Sequence, residues 1–320
     1  AMLASVLGPD IQQVGGRAIF DAVIASRGGR PSGTGTVRLE GLNLALPAQG
    51  LVLSKGTGLI RLADDRLVIE QFTFPAVGKG DISASGDVRL DPNFTLPVNL
   101  RIETRRARLM GRRDLLAELT SSLQFSGSVA EGLKISGPIR IDRAEINVAM
   151  GGASTAVPAV PVREIGAGAP KQAATSAPAK PMALDIKISA PQAIFVRGKG
   201  LDAEVQGDLA VAGTSDKPSV TGGLQLRRGT FQILGRTLNF TRGVVSFVSG
   251  DRIEPLLDML AVSRNGNVTI NIAVTGSASD PKIKLSSTPT LPQDEILAQF
   301  LFGRGAAELG PSQLAQVAEA

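Results

Sequence analysis

Between Thr221 and Gly303 the chain alternates apolar and polar residues in short bursts, and this pattern restricts its possible folds more than any other feature. Leu224/Leu226, Phe231/Ile233, Leu238/Phe240 and Val245/Phe247 each place two apolar side chains on one face of a short strand. Glycines at 229, 235 and 243 fall between these pairs, where a tight turn requires a positive φ. Val268, Ile270, Ile272 and Val274 alternate against Asn267, Thr269 and Asn271, which predicts a strand with one buried and one polar face. After the break at Asp280-Pro281, Ile283 and Leu285 supply one more strand. The stretch predicts a ladder of hairpins.

A helix closes the ladder. Pro292 suits a first turn, Asp294 and Glu295 suit the positive N-terminal end, and Gly303 suits a left-handed C-terminal position. Ile296, Leu297, Phe300 and Leu301 share one face, which either plugs the open end of the sheet or docks a partner. In the first case Phe300→Ala should cost about 3–5 kcal/mol.

Upstream, Ala18 to Ile24 predicts a strand, and Val37/Leu39, Leu42/Leu44/Leu46, Leu51/Leu53 and Ile60/Leu62 continue the series. So do Leu67/Ile69, Phe72/Phe74, Val88/Leu90 and Val98/Leu100/Ile102. Strands this closely spaced favour antiparallel pairing, because parallel neighbours need long crossovers. Leu115 to Phe125 fits helical spacing as well as alternation, and its β surroundings favour a strand. Units of one shape recur without a fixed period, as in Ser136 to Val148 against Thr221 to Ile233, and such units bury their apolar faces only by stacking on neighbours. From Gly151 to Pro181 the composition turns to Ala, Pro, Gly, Ser and Thr, as in a linker or disordered loop. The expected organisation is a β-repeat block at 1–150, a linker at 151–183, a β-groove at 184–290 and a helical segment at 291–320. The chain starts mid-pattern and stops in an Ala/Gln-rich helical stretch, as a piece of a longer protein would.

Composition removes most chemistry. Cysteine and histidine are both absent, which excludes disulfides, thiolate nucleophiles, Cys/His zinc sites and a Ser-His-Asp triad. Gly33-Thr-Gly35 and Gly56-Thr-Gly58 lie between strands with no helix following, so no dinucleotide fingerprint is present, and Asp64-Asp65 reads as turn chemistry. No enzyme, metal or cofactor is expected. No apolar run approaches the ~18 residues of a membrane-spanning helix. The net charge of +5 suits a mildly basic surface or attraction to anionic lipid. Its densest part is Arg101, Arg105, Arg106, Arg108, Arg112 and Arg113, read as a solvated strand edge that discourages sheet-to-sheet pairing or as a contact for lipid headgroups. Nucleic acid fits poorly, because aromatics are only 3% and stacking platforms need them.

Many short strands with one apolar face and a single helix leave two arrangements. Two sheets can hide their faces against each other in a sandwich, or one sheet can curl into an open U with its apolar face inside. A resemblance favours the second. Arg228-Gly229-Thr230-Phe231, Leu234-Gly235-Arg236, Arg242-Gly243, Phe247, Val274-Thr275-Gly276, Asp280-Pro281, Ser286-Ser287-Thr288-Pro289 and Pro292 to Leu297 occur in the order found in TamB-like translocation and assembly module proteins. Ile194 to Leu209 extends the likeness, and 1–150 resembles the preceding β-repeat region more loosely.

This resemblance, with the wider AsmA-like group, implies a mainly β fold. A long, curved, mostly antiparallel sheet would roll into an open taco-like groove with a short C-terminal helix. It implies a periplasmic part of an inner-membrane-anchored protein of a diderm bacterium that works with a TamA-like outer-membrane barrel. The implied roles are phospholipid transfer and outer-membrane protein assembly. One reading is a groove for phospholipid acyl chains lined by Leu224, Leu226, Phe231, Ile233, Leu238, Phe240, Val245, Phe247, Val268, Ile270, Ile272, Val274, Ile283 and Leu285. The other is a scaffold that engages the barrel and client strands by strand addition, without conducting lipid. Some twenty strands would make a trough on the order of 100 Å long. An acid at Ile270 should interrupt it, while one at Thr269, on the opposite face, should do little.

Overall fold

The structure, a computed structural model, describes residues 13–27, 30–46, 51–76, 80–91, 95–110, 115–128, 130–148, 180–233, 235–250 and 252–313. The strands are β1 (Gln13–Arg27), β2 (Arg30–Leu46), β3 (Leu51–Asp64), β4 (Arg66–Pro75), β5 (Asp81–Arg89), β6 (Pro97–Met110), β7 (Leu115–Ser128) and β8 (Gly132–Asn147). After the join come β9 (Ala183–Gly198), β10 (Leu201–Thr214), β11 (Pro218–Ile233), β12 (Arg236–Phe247), β13 (Pro255–Asn265), β14 (Val268–Ser277) and β15 (Pro281–Thr288). Helix α1 (Gln293–Phe302) follows, then a 3-10 turn at Ala306–Glu308. All fifteen strands form one sheet in sequence order. Every neighbouring pair is antiparallel except β8 and β9, which run parallel. The β8–β9 pair therefore carries the sheet on from one block to the other without a break. The linker expected at 151–183 lies almost wholly outside the described residues.

The strands are fewer and longer than the sequence pattern suggests. Val37/Leu39 and Leu42/Leu44, expected on separate strands, both belong to β2. Gly229 and Gly243, expected in turns, sit inside β11 and β12, whereas Gly235 at φ 72° does make the turn between them. At Gly229 and Gly243 the pattern breaks because of bulges. Pairing of β10 with β11 shifts between Glu204 and Val205, and pairing of β12 with β13 shifts between Phe240 and Arg242. Each shift inserts an extra residue, near Arg227 in β11 and near Thr241 in β12. One extra residue reverses the alternation, so Leu226 and Phe231 face the same way despite their odd spacing.

Similar shifts recur in the β3–β4, β4–β5, β6–β7 and β9–β10 pairs, where they re-aim the strands and add twist. The sheet curls enough to bring β3 near β6, with β4 and β5 between them. There the Phe72 and Phe74 rings meet edge to face at 5.3 Å. Gly56 lies so close under Phe74 that any side chain on it would collide with the ring.

Leu115–Ser128 is a strand, β7, as its β surroundings favour. Helix α1 starts after Pro292 and ends at Gly303, which is left-handed at φ 74° and donates its N–H to the Gln299 carbonyl at 3.0 Å. The largest buried cluster forms where α1 lies on the sheet: Leu238, Ala261, Ile270 and Ile272 around Ile296. A smaller cluster of Ala144, Ala190 and Ile194 marks the parallel join.

Candidate functional site

The registers place one apolar face along the whole sheet. From β4 to β13 a single row reads Phe74, Ile82, Thr104, Ser121, Ile139, Ile188, Leu209, Gly222, Phe247 and Pro255, each paired with the next. In β10 this face carries Leu201, Ala203, Val205, Leu209 and Val211, while Asp202, Glu204, Gln206 and Asp208 point the other way. Among the described residues no second sheet covers it. Ile186, Ile188, Val205 and Leu209, near the middle, are only half-buried. A sandwich is thereby excluded, and the sheet is an open groove with an apolar interior.

All the apolar residues singled out from Leu224 to Leu285 lie on this face. Phe231 pairs with Leu238 and Leu224 with Val245. Phe240 pairs with Ala261, which leads on to Ile272 and Leu285, and Ile270 and Val274 follow the same alternation. Their exposure differs sharply. Ile270 is 1% exposed beneath α1, whereas Ile283, on the last strand, is 67% exposed. The expected contrast between Ile270 and Thr269 therefore tests the seat of the helix, because Ile270 is sealed rather than open to a ligand.

The helix uses two faces where the sequence suggests one. Ile296 and Phe300 pack on the sheet. Leu297 and Leu301 instead pack with Ala298, Phe302 and Leu309, where the chain folds back beneath the 3-10 turn. Asn265 on β13 donates from Nδ2 to Gln299 Oε1 at 2.6 Å, and Glu295 Oε2 accepts the Ala306 N–H at 2.8 Å.

The opposite face is charged and paired. Arg105, Arg106 and Arg108 lie there, on β6, which has β5 and β7 on either side, so the cluster guards no strand edge. Arg105 is 3.5 Å from Glu103, and Arg106 Nε is 3.0 Å from Glu118. Arg112 and Arg113 lie outside the described residues. Near the parallel join, Arg143 and Arg197 both stack on Phe195 at 5.1 Å. Arg143 donates to Glu145, and this bond first, then the charges of Arg143, Arg197 and Arg108, hold the Glu145 carboxyl below its ordinary range. At the β11 bulge, Arg227 and Arg228 reach Glu204 on β10 at 3.0 and 2.6 Å, which clamps the extra residue in place. Among the described residues no buried side-chain nitrogen or oxygen lacks a partner, and no group of three or more acidic side chains could hold a metal.

The groove residues singled out from the sequence all fall on β11–β15, whereas the same face runs back to β2. The signal was present, since Val205 and Leu209 alternate against Gln206 and Asp208.

Comparison with known proteins agrees with this architecture. The family model for the TamB C-terminal domain matches residues 70–320, from within β4 through α1. The chain belongs to the TamB family. A relative, the translocation and assembly module subunit TamB of Haemophilus influenzae, is 27% identical over 131 residues, which is 39% of this chain and 10% of that protein. The match spans about a tenth of that protein's length.

Proposed function

We propose that this TamB-family chain is a non-enzymatic conduit whose open apolar trough takes phospholipid acyl chains. In this reading it forms the periplasmic part of an inner-membrane-anchored protein that moves phospholipid between inner and outer membranes and supports outer-membrane protein assembly. The observation that carries it is the continuity of the apolar face from β2 to β15, half-exposed at positions such as Ile188 and Leu209 near its middle and backed by a charged outer face. Each methylene kept out of water is worth about 0.8 kcal/mol, so a trough that shields whole acyl chains removes most of the cost of crossing an aqueous gap. At about 4.8 Å per strand, fifteen strands make a trough about 70 Å long.

The test is a benzophenone side chain placed at Ile188, inside the trough, or at Lys187, the next residue on the outer face. With vesicles of phosphatidylethanolamine and phosphatidylglycerol, lipid adducts are expected at 188 and not at 187. Adducts at both positions or at neither would sink the conduit.

The alternative scaffold reading is favoured by the outer edge of β15, whose one strand partner among the described residues is β14. A strand from a client or from a TamA-like barrel could pair there. Lys282 and Lys284, both exposed on this strand, limit indiscriminate pairing.

A further inference from the structure

We propose that α1 is the trough's own occupant at its C-terminal end, a displaceable plug seated where an acyl chain would otherwise lie. The inference rests on the conduit reading and concerns its regulation.

Burial varies along this face, and the one large side chain below 2% exposure among the described residues, Ile270, lies under α1. Mid-trough side chains such as Ile188 and Leu209 are only half-buried. Under α1, Leu238, Ala261, Ile270 and Ile272 fall to 4%, 3%, 1% and 7% exposure. The cover comes from one helix that presents Ile296 and Phe300, with Leu291 just ahead of it. These are branched and aromatic hydrocarbons on an apolar floor, the same chemistry an acyl chain would offer.

The plug is lightly tied to the sheet. Its far side has a core of its own, Ala298 and Leu309 with Leu297 and Leu301, which does not involve the sheet. Glu295 ties the helix to Ala306 in the segment that follows it. Among the described residues the helix makes a single side-chain hydrogen bond to the sheet, Asn265 to Gln299. Only residues 289–292 join it to β15. At ten residues the helix is too short to persist undocked in water, so leaving the trough costs it structure and the seated state is the resting one. An acyl chain arriving along the trough competes for the same surface, and passage beyond β11 requires α1 to lift.

The absence of native cysteine makes the test clean. Asn265→Cys and Gln299→Cys, bridged by a short bis-maleimide, lock the helix onto β13. Benzophenone in place of Phe240 reports lipid beneath the plug, and benzophenone in place of Ile188 reports lipid in the open trough. Both are read on the full chain with phosphatidylethanolamine and phosphatidylglycerol vesicles. The expected result is adducts at both positions in the unbridged chain, with the adduct at 240 lost on bridging while that at 188 persists. Ile296→Asp, which unseats the helix, should raise the yield at 240 several-fold relative to 188. Adducts at 240 that survive the bridge, or none at 240 in any form while 188 labels, overturn the plug and leave the conduit standing. Absence of adducts at 188 overturns both.

Discussion

At the scale of single residues, the two faces of the sheet obey different rules. Inside the trough a charge is the severe change, because an unpaired ion in an apolar channel is costly. Ile188→Asp is expected to abolish lipid transfer between vesicles while lowering stability by only about 1–2 kcal/mol, since the side chain is half-exposed already. Lys187→Asp, one position away, should leave transfer intact, and loss of transfer in both variants would dissociate it from the apolar face. On the outer face the interesting groups are paired charges. Glu145 is held below the ordinary glutamate range, chiefly by its hydrogen bond from Arg143. Its contribution to stability is complete above the unfolded glutamate pKa and disappears as pH falls through the lowered folded value. A side-chain NMR titration should therefore place its midpoint below that of a model peptide, and Glu145→Gln should flatten the acid limb of the stability curve.

Among elements, α1 and the bulges decide most. The helix is anchored by Ile296 at 3% exposure, so Ile296→Ala is expected to cost about 2–5 kcal/mol of docking free energy. Because an isolated helix of this length is marginal, the loss should appear as fast hydrogen exchange throughout α1, with the amides of β9 and β10 unchanged. Phe300 is only half-buried, so Phe300→Ala should cost less than the about 3–5 kcal/mol of a sealed phenylalanine. Leu301→Ala should loosen the 306–309 turn through Leu309 and leave the Ile296 seat in place. The bulges act differently, since they hold register rather than surface area. Glu204 grips both Arg227 and Arg228 at the point where the alternation reverses, which keeps Leu226 and Phe231 on one side.

For the whole molecule, the parallel join is the feature on which continuity depends. The chain leaves β8 at Asn147 and re-enters at Ala183, which pairs with Lys134 at the other end of β8. The return spans about 45 Å at strand rise, so a fully extended connection needs at least about 13 residues. Replacing 151–181 by a Gly/Ser segment of similar length is expected to leave the thermal midpoint nearly unchanged. Shortening residues 148–182 below that minimum should break the β8–β9 pair and split the trough, seen as loss of protection in β8 and β9 together. If the long Gly/Ser replacement itself lowered the midpoint strongly, the native segment would be packing against the sheet.

The sequence by itself determined what depends on a residue and its nearest neighbours. Alternation marked the strands and their apolar sides, Gly235 marked a turn, and Pro292 and Gly303 bounded the helix. The missing cysteine and histidine removed whole classes of chemistry. Tertiary structure decided what depends on pairing across space. A glycine between two alternating pairs reads the same whether it makes a turn or sits beside a bulge, and only the hydrogen-bond register of β10 through β13 separates Gly235 from Gly229 and Gly243. The division of α1 between Ile296 on the sheet and Leu301 on Leu309 has the same origin, because helical spacing shows which residues lie near one another but not what lies opposite them. Ile270 and Ile188 carry the same side chain on the same face, and the fold alone seals one and leaves the other open.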